Sequence, residues 1–143
     1  MTKVLLSVLV VGLLSSSALA GMDKVARIQE GLKKEQITRV VASGSKQTVR
    51  FYYALNPDCI TRGSPEVRVT KQPEHGMVET APVQSFPSYP KDNIRFKCNQ
   101  QKVRGVQVNY KSADKYVGDD EFDLLVLFPG GMASEVHYDI SVR

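Results

Sequence analysis

Residues 106–128 read VQVNYKSADKYVGDDEFDLLVLF, and they indicate the fold more clearly than any other part of the sequence. Apolar and polar residues alternate over residues 106–110 and again over residues 122–128, which is the period of a half-buried β-strand. Glycine and aspartate residues typical of turns lie between the two alternating runs. The stretch therefore predicts one strand, a corner packed by Tyr116, and a second strand. This pattern favours a small all-β domain.

Similar short runs occur on both sides of this stretch, and turn signals such as Asn56-Pro57-Asp58 and Pro129-Gly130-Gly131 separate them. Short strands at regular spacing with turns between them are typical of an antiparallel β-sandwich. We therefore predict seven to eight strands in residues 37–143. The predicted strands are residues 37–41, 47–55, 66–70, a short strand that begins near residue 76, 94–98, 103–110, 122–128 and 134–142.

Two of these segments carry more detailed expectations. In the strand over residues 47–55, strict alternation places Val49, Phe51, Tyr53 and Leu55 on one face and Tyr52 on the other. Residues 81–93 contain three prolines, and we predict an extended loop there because proline cannot donate to a sheet ladder.

The first 20 residues have the three regions of a secretory signal peptide in the required order. Lys3 provides a positive start, residues 4–14 form an apolar run, and Ala18-Leu19-Ala20 is a small-x-small cleavage pattern. The apolar run is too short for a membrane anchor, which needs about 20 apolar residues. We predict cleavage after Ala20, a periplasmic or secreted protein, no transmembrane segment in the mature chain, and an N-terminal arm or short helix over residues 21–36.

Two cysteines, Cys59 and Cys98, remain after this cleavage. An even cysteine count in an exported chain predicts a disulfide bond rather than two free thiols. The bond would close a loop of about 40 residues and stabilise the fold by roughly 4 kcal/mol in the chain-entropy model.

The charge balance is modest. The full chain carries a net charge of +4, and loss of Lys3 with the leader leaves +3. A dedicated nucleic-acid binder usually has a clustered basic face, so we expect no nucleic-acid partner. Residues 21–50 hold seven basic and three acidic side chains, which would suit either contact with an anionic lipid or polymer or a solvated leader.

The second half of the chain contains a recognisable set of spaced residues. Pro73, Gly76 and Val78 form a Pro-x-x-Gly-x-Val element, in which we expect Gly76 to adopt a backbone angle that other residues avoid, and Tyr110 begins a second element. A third element has Tyr116, Gly118, Asp120 and Phe122 at alternate positions, and the tail alternates through Val136, Tyr138, Ile140 and Val142. With these residues, positions 66–143 resemble one unit of the bacterial cadherin-like and immunoglobulin-like repeats of large surface proteins.

The resemblance implies an immunoglobulin-like or cadherin-like β-sandwich, a bacterial host, and a role in adhesion or as a spacer. Ser112 stands where those units usually have proline, and Leu124 where they end in tyrosine. The chain also differs in having its own signal peptide and a predicted disulfide. It lacks the Asp-rich linkers that bind calcium in true cadherins. Because the matching residues are core and turn residues, they indicate the fold and not a ligand.

Residues that would support chemistry are few. Asp119, Asp120, Glu121 and Asp123 form an acidic run that leaves a weak calcium site open, although a structural role for Asp120 in turn bonding explains it more simply. His75, Met77, Met132 and His137 would suit copper but have no fixed ligand spacing. Signatures of serine hydrolases, phosphate loops and dinucleotide sites are missing. We therefore predict a protein that is not an enzyme and has no metal or cofactor.

The loop Phe86-Pro87-Ser88-Tyr89-Pro90 is the candidate contact surface, because rigid aromatics in a loop lose little entropy on binding. The alternative is that Phe86 and Tyr89 fold back over the end of the sandwich. We predict a non-catalytic interaction module of the cell envelope with a protein or envelope polymer as its partner. A secreted inhibitor of a hydrolase and a metal-binding envelope protein are the alternatives, and the oligomeric state stays open.

Overall fold

Seven β-strands form in residues 32–143, which are the residues that the computed structural model describes. The predicted signal peptide and most of the predicted arm lie outside this range. A 3₁₀ turn at Phe96–Gln100 is added between the fourth and fifth strands. The strands are β1 (Leu32–Val41), β2 (Lys46–Tyr52), β3 (Glu66–Lys71), β4 (Gly76–Ser85), β5 (Val103–Ser112), β6 (Gly118–Leu127) and β7 (Ala133–Val142).

The strands form two sheets that pack face to face. One sheet has the order β1-β7-β6-β3 and the other the order β2-β5-β4. Strand β1 runs parallel to β7, and the remaining pairs are antiparallel. The predicted all-β sandwich is therefore confirmed, with seven strands.

The core lies between the sheets and is built largely from the alternating residues that the sequence indicated. Tyr110 of β5, Phe122 of β6 and Tyr138 of β7 are fully buried. Their rings form a stack, with centroids 6.1 Å apart for Tyr110–Phe122 and 4.5 Å apart for Phe122–Tyr138. Aromatic side chains bury more apolar area than other residues, so this stack is a main source of the fold's stability.

Strand β2 departs from strict alternation. Its register against β5 shifts between Thr48 and Arg50, so Val49 occupies a β-bulge. Val49 and Tyr52 consequently both point into the main core, whereas Phe51 packs on a second apolar cluster. The predicted placement of Val49 and Phe51 on one face is wrong, because a bulge inserts one residue and reverses the alternation beyond it.

We predicted a strand over residues 94–98, and this prediction is wrong. The segment is a turn that leads into the 3₁₀ helix. The Asn93 side chain accepts a hydrogen bond from the Arg95 amide at 2.9 Å, and its backbone carbonyl accepts one from Phe96 at 2.8 Å. These local bonds satisfy the backbone in place of a sheet ladder.

The start of β1 and the end of β4 also differ from the prediction. Strand β1 begins at Leu32, five residues earlier than predicted, because its whole length pairs with β7. Strand β4 extends to Ser85, so the predicted loop begins later than residue 81. Pro82 is tolerated within β4 because this strand lies at the edge of its sheet, where one set of backbone donors has no ladder partner.

Candidate interaction surface

Three connections meet at one end of the sandwich, which we call the disulfide end. They are residues 53–65 between β2 and β3, residues 86–102 between β4 and β5, and residues 128–132 between β6 and β7. The Cys59–Cys98 disulfide joins the first two, with the Cα atoms 5.3 Å apart, and the predicted bond is thereby confirmed. The third lies against the first, since a β-carbon on Gly63 would be 3.3 Å from the Pro129 ring.

A second, smaller apolar cluster supports these connections. Leu55, Cys98 and Val103 are buried in it, and half-buried Tyr53 and Tyr89 pack on it. The rings of Tyr53 and Tyr89 meet edge to face at 5.3 Å. The loops therefore stand on their own small core and do not hang freely from the sheets.

The predicted contact loop is divided by this packing. Tyr89 is held on the body of the protein, where its amide donates to the Asn99 side chain and its carbonyl accepts from it, each at 2.9 Å. Pro87 is buried, while Pro90 and Phe86 are exposed. Phe86 keeps 52% of its surface exposed, with the Lys102 ammonium 5.7 Å from its ring centroid. Tyr89 and Pro87 thus anchor the loop, and Phe86 is the aromatic ring that it presents.

Sequence reasoning missed most of the apolar surface at this end. Eight large apolar side chains are exposed in residues 32–143, and five of them lie in the three connections. Two of these side chains were missed because we predicted a strand over residues 94–98. Three of the five lie close to a cysteine in the sequence, and this proximity is the signal that could have indicated them. The five are Ile60 (62% exposed), Phe86, Ile94 (68%), Phe96 (42%) and Met132 (68%).

Positive charge is concentrated at the same end. The three connections contain five basic and two acidic side chains, a net side-chain charge of +3, whereas the rest of residues 32–143 balances to zero. Such a local excess creates a potential that attracts anionic partners. The basic residues are Arg62, Lys91, Arg95, Lys97 and Lys102, and the acidic residues are Asp58 and Asp92.

An open groove of about 400 Å³ extends from the disulfide end along β1 and β2. Arg39 and Arg50 line it together with the aromatic rings of Phe51, Phe86 and Phe128. Arg50 is partly neutralised by Glu35, 3.6 Å away. The groove continues the basic and aromatic character of the loops onto the side of the sandwich.

The opposite end contains the predicted corner residues, and their hydrogen bonds hold the turns there. The buried carboxylate of Asp120 accepts hydrogen bonds from the Tyr110 hydroxyl at 2.7 Å and from the backbone amides of Glu74 (3.0 Å) and His75 (3.1 Å). The Tyr116 hydroxyl donates to the Asp119 carbonyl at 2.6 Å. Asp120 therefore joins the β3–β4 turn to β5, as its predicted role in turn bonding required.

Two glycines at this end are required for different reasons. The sequence led us to expect an unusual backbone angle at Gly76, but this residue does not have a positive φ. It is needed for space, because a β-carbon there would lie 2.6 Å from the Tyr110 ring. Gly118 does adopt a positive φ of 147°, a conformation that favours glycine.

The two histidines and two methionines do not form one group, although His75 and Met77 line the same pocket. His75 lies at the opposite end, where its ring stacks on Tyr116 at 4.1 Å, whereas Met132 lies in the β6–β7 turn at the disulfide end. Within residues 32–143, no group of three or more His, Cys, Asp or Glu side chains is arranged to hold a metal ion. The histidine–methionine set suggested by residue type is therefore not brought together in the structure.

His137 instead lies among carboxylates on the outer face of the four-stranded sheet. Its Nδ1 is 2.6 Å from Asp123, and its Nε2 is 3.3 Å from Asp139 and 3.7 Å from Glu121. The hydrogen bond to Asp123 and the nearby negative charges raise the pKa of His137 above its ordinary value of 6.5. A charged imidazolium therefore suits this position better than a neutral ring.

Comparison with known proteins adds little to this picture. No protein-family model matches the chain, and no curated protein does. A solved structure described as the solution structure of amebosin aligns at 9% sequence identity over 78% of this chain and 98% of that one, with a TM-score of 0.40. A likeness at this level carries no argument about function.

Proposed function

We propose that the protein is a small exported, non-catalytic interaction module of the bacterial cell envelope that binds through its disulfide end. One observation carries this proposal: most of the large exposed apolar side chains and all of the net positive charge of residues 32–143 lie at that end. Concentrated exposed apolar surface marks interaction sites on small proteins.

Three further points support the proposal. The Cys59–Cys98 disulfide fits an oxidising compartment, as the predicted signal peptide does. No helix in residues 32–143 is long and apolar enough to cross a membrane. The side chains most suited to chemistry are engaged in structural bonds, as Asp120 and Tyr110 are. The bacterial host rests on the resemblance to surface-repeat units, which we retain as part of the proposal.

Binding of an envelope component tests this function and its location together. The chain is exported in a bacterium, purified in its oxidised form and immobilised, and an envelope extract is passed over it. We expect at least one component to be retained by the native protein and lost from the variant Ile94→Ser/Met132→Ser. The matched control is Met77→Ser/Val117→Ser, which changes two other exposed apolar residues, 53% and 68% exposed, outside the disulfide end.

Each result of this experiment decides the proposal. Retention that depends on the disulfide-end residues but not on the control pair supports it. Equal retention by both variants places the binding surface elsewhere, and no retention by the native protein contradicts a binding function.

Inhibition of a hydrolase is a second candidate function, favoured by the exposed Phe86 on a loop that Tyr89 and Asn99 anchor. A rigid loop that presents one aromatic ring suits insertion into an enzyme cleft. This function predicts stoichiometric inhibition of one envelope hydrolase and its loss in Phe86→Ala. A loss of inhibition in Tyr89→Ala alone would not test this function, because Tyr89 also packs on the second apolar cluster.

A further inference from the structure

We infer that the disulfide end docks on a lipid bilayer rich in anionic headgroups, with Ile60, Ile94 and Met132 entering the interface. This inference rests on the proposed function and names the partner of the proposed surface. The argument comes from the shape of the loops, the kind of side chain at their tips and the charge around them.

Several backbone groups of the loops that carry Ile60 and Ile94 are bonded within the protein. In the first loop the Asn56 amide donates to the Ile60 carbonyl at 2.9 Å, and the Ile60 amide donates to the Asp58 side chain at 3.0 Å. In the second, the turn bonds at Asn93 hold the segment that carries Ile94. Satisfied backbone groups are a condition for entering an apolar medium, because each unsatisfied group costs several kcal/mol there.

The disulfide brings the tips of these two loops close to each other. Ile60 follows Cys59 directly, and Phe96 precedes Cys98 by two residues. Because the Cα atoms of the two cysteines are 5.3 Å apart, the apolar side chains on either side of the bond lie in one region. The same end therefore presents several apolar side chains together, as docking on a surface requires.

Basic side chains accompany these tips. Lys91, Lys97 and Lys102 all lie in the connection that carries Ile94. Long lysine side chains can reach lipid headgroups while neighbouring apolar groups enter the interface. Anionic lipid attracts each basic residue near the surface, and this attraction weakens as salt is added.

The choice of side chains favours a bilayer over a protein partner. Protein interface centres are enriched in aromatic residues, methionine and arginine and depleted in lysine. At the disulfide end Tyr53 and Tyr89 pack inward, three of the four exposed basic side chains are lysines, and two of the five exposed large apolar side chains are isoleucines. Aliphatic tips accompanied by lysines are instead typical of a membrane-surface anchor.

Cosedimentation with vesicles tests the inference. The purified, oxidised, exported protein is mixed with vesicles of phosphatidylcholine alone or with vesicles that also contain phosphatidylglycerol. At about 40% phosphatidylglycerol the vesicle surface is negative enough to attract basic residues strongly. We expect the native protein to bind the anionic vesicles. Binding by Ile60→Ser/Ile94→Ser/Met132→Ser is expected to be at least about tenfold weaker, because three apolar groups no longer enter the interface. Lys91→Glu/Lys97→Glu is expected to weaken both the binding to anionic vesicles and the dependence of that binding on salt.

The control Met77→Ser/Val117→Ser removes exposed apolar side chains outside the disulfide end and is expected to bind vesicles as the native protein does. Circular dichroism of each variant verifies that the fold is retained. Equal binding to both kinds of vesicle, equal loss in the control, or no vesicle binding overturns the inference. Binding to immobilised heparin that equals vesicle binding and ignores the isoleucine changes also overturns it, since charge alone would then explain the attraction.

The outcome also separates this inference from the function on which it rests. If vesicles are not bound but an envelope protein is retained through the disulfide end, the bilayer inference is wrong and the interaction module stands. If neither vesicles nor any envelope component is bound, both fail.

Discussion

At the residue scale, single polar groups decide how the turns of this sandwich are held. Asp120 is buried, yet its carboxylate receives donors from β5 and from the β3–β4 turn. A buried hydrogen bond stabilises only while both of its groups are present, because removing one group leaves the other unsatisfied. The acidic run at residues 119–123 is therefore divided by role: Asp120 is structural, and Asp123 pairs with His137.

Removal of this carboxylate is expected to be costly. Asp120→Ala removes the acceptor of the Tyr110 hydroxyl and of three backbone amides, those of Glu74, His75 and Glu121, and we expect a loss of roughly 3 kcal/mol in the free energy of unfolding. Urea denaturation monitored by circular dichroism measures it. The control Asp119→Ala changes an exposed neighbour and should cost well under 1 kcal/mol. Similar losses in the two variants would contradict the assigned role.

His137 predicts a pH dependence of stability. Its neighbours are Asp123 and Glu121 on β6 and Asp139 on its own strand, with Lys71 of β3 bound to Glu121 and Gln36 of β1 bound to Asp139. The folded-state pKa of His137 is raised above the ordinary 6.5. Its contribution is therefore fully present below pH 6.5 and is lost as the pH rises through the folded pKa.

The free energy of unfolding is accordingly expected to fall as the pH rises from 6.5 through the folded pKa of His137, and this fall is expected to be absent in His137→Gln. Urea titrations at several pH values measure the slope. His75→Gln, which changes the other histidine, is the control and should keep the native slope. An unchanged slope in His137→Gln would assign the effect to another group.

At the element scale, the disulfide and the second cluster make the disulfide end a separate unit of packing. Cys98 is fully buried beside Leu55 and Val103, so the bond contributes apolar contacts as well as a covalent link. The bulge in β2 is part of the same arrangement. It directs Tyr52 into the main core and Phe51 into the second cluster, so a single strand serves both.

Removal of the bond is expected to affect this end most. The double variant Cys59→Ser/Cys98→Ser should lose about 4 kcal/mol in the chain-entropy model. Amide exchange should accelerate in residues 53–65 and 86–102 before it does in β6 and β7, because the sandwich core does not depend on the bond. Urea denaturation and hydrogen exchange followed by mass spectrometry measure both effects. Uniform acceleration through all strands would contradict a separate unit at this end.

At the scale of the whole molecule, the two ends of the sandwich differ in surface character. The disulfide end combines exposed apolar tips with excess positive charge, whereas the turns at the opposite end are packed by Tyr116, His75 and Asp120. The outer face of the four-stranded sheet is different again, with His137 among carboxylates. Within residues 32–143 this asymmetry singles out the disulfide end, on which both the proposed function and the proposed lipid partner depend.

The features that depend on local pattern could be predicted from the amino-acid sequence. Alternation in the second half predicted β5, β6 and β7, the Pro129-Gly130-Gly131 turn was recognisable from its residues, and two cysteines allowed one pairing. Tertiary structure alone decided the parallel pairing of β1 with β7, the bulge at Val49 and the turn at residues 93–98. It also gathered Ile60, Ile94 and Met132 at one end. The physical reason is range: alternation and turn chemistry act within a few residues, whereas strand pairing and shared surfaces depend on contacts between residues far apart in the chain.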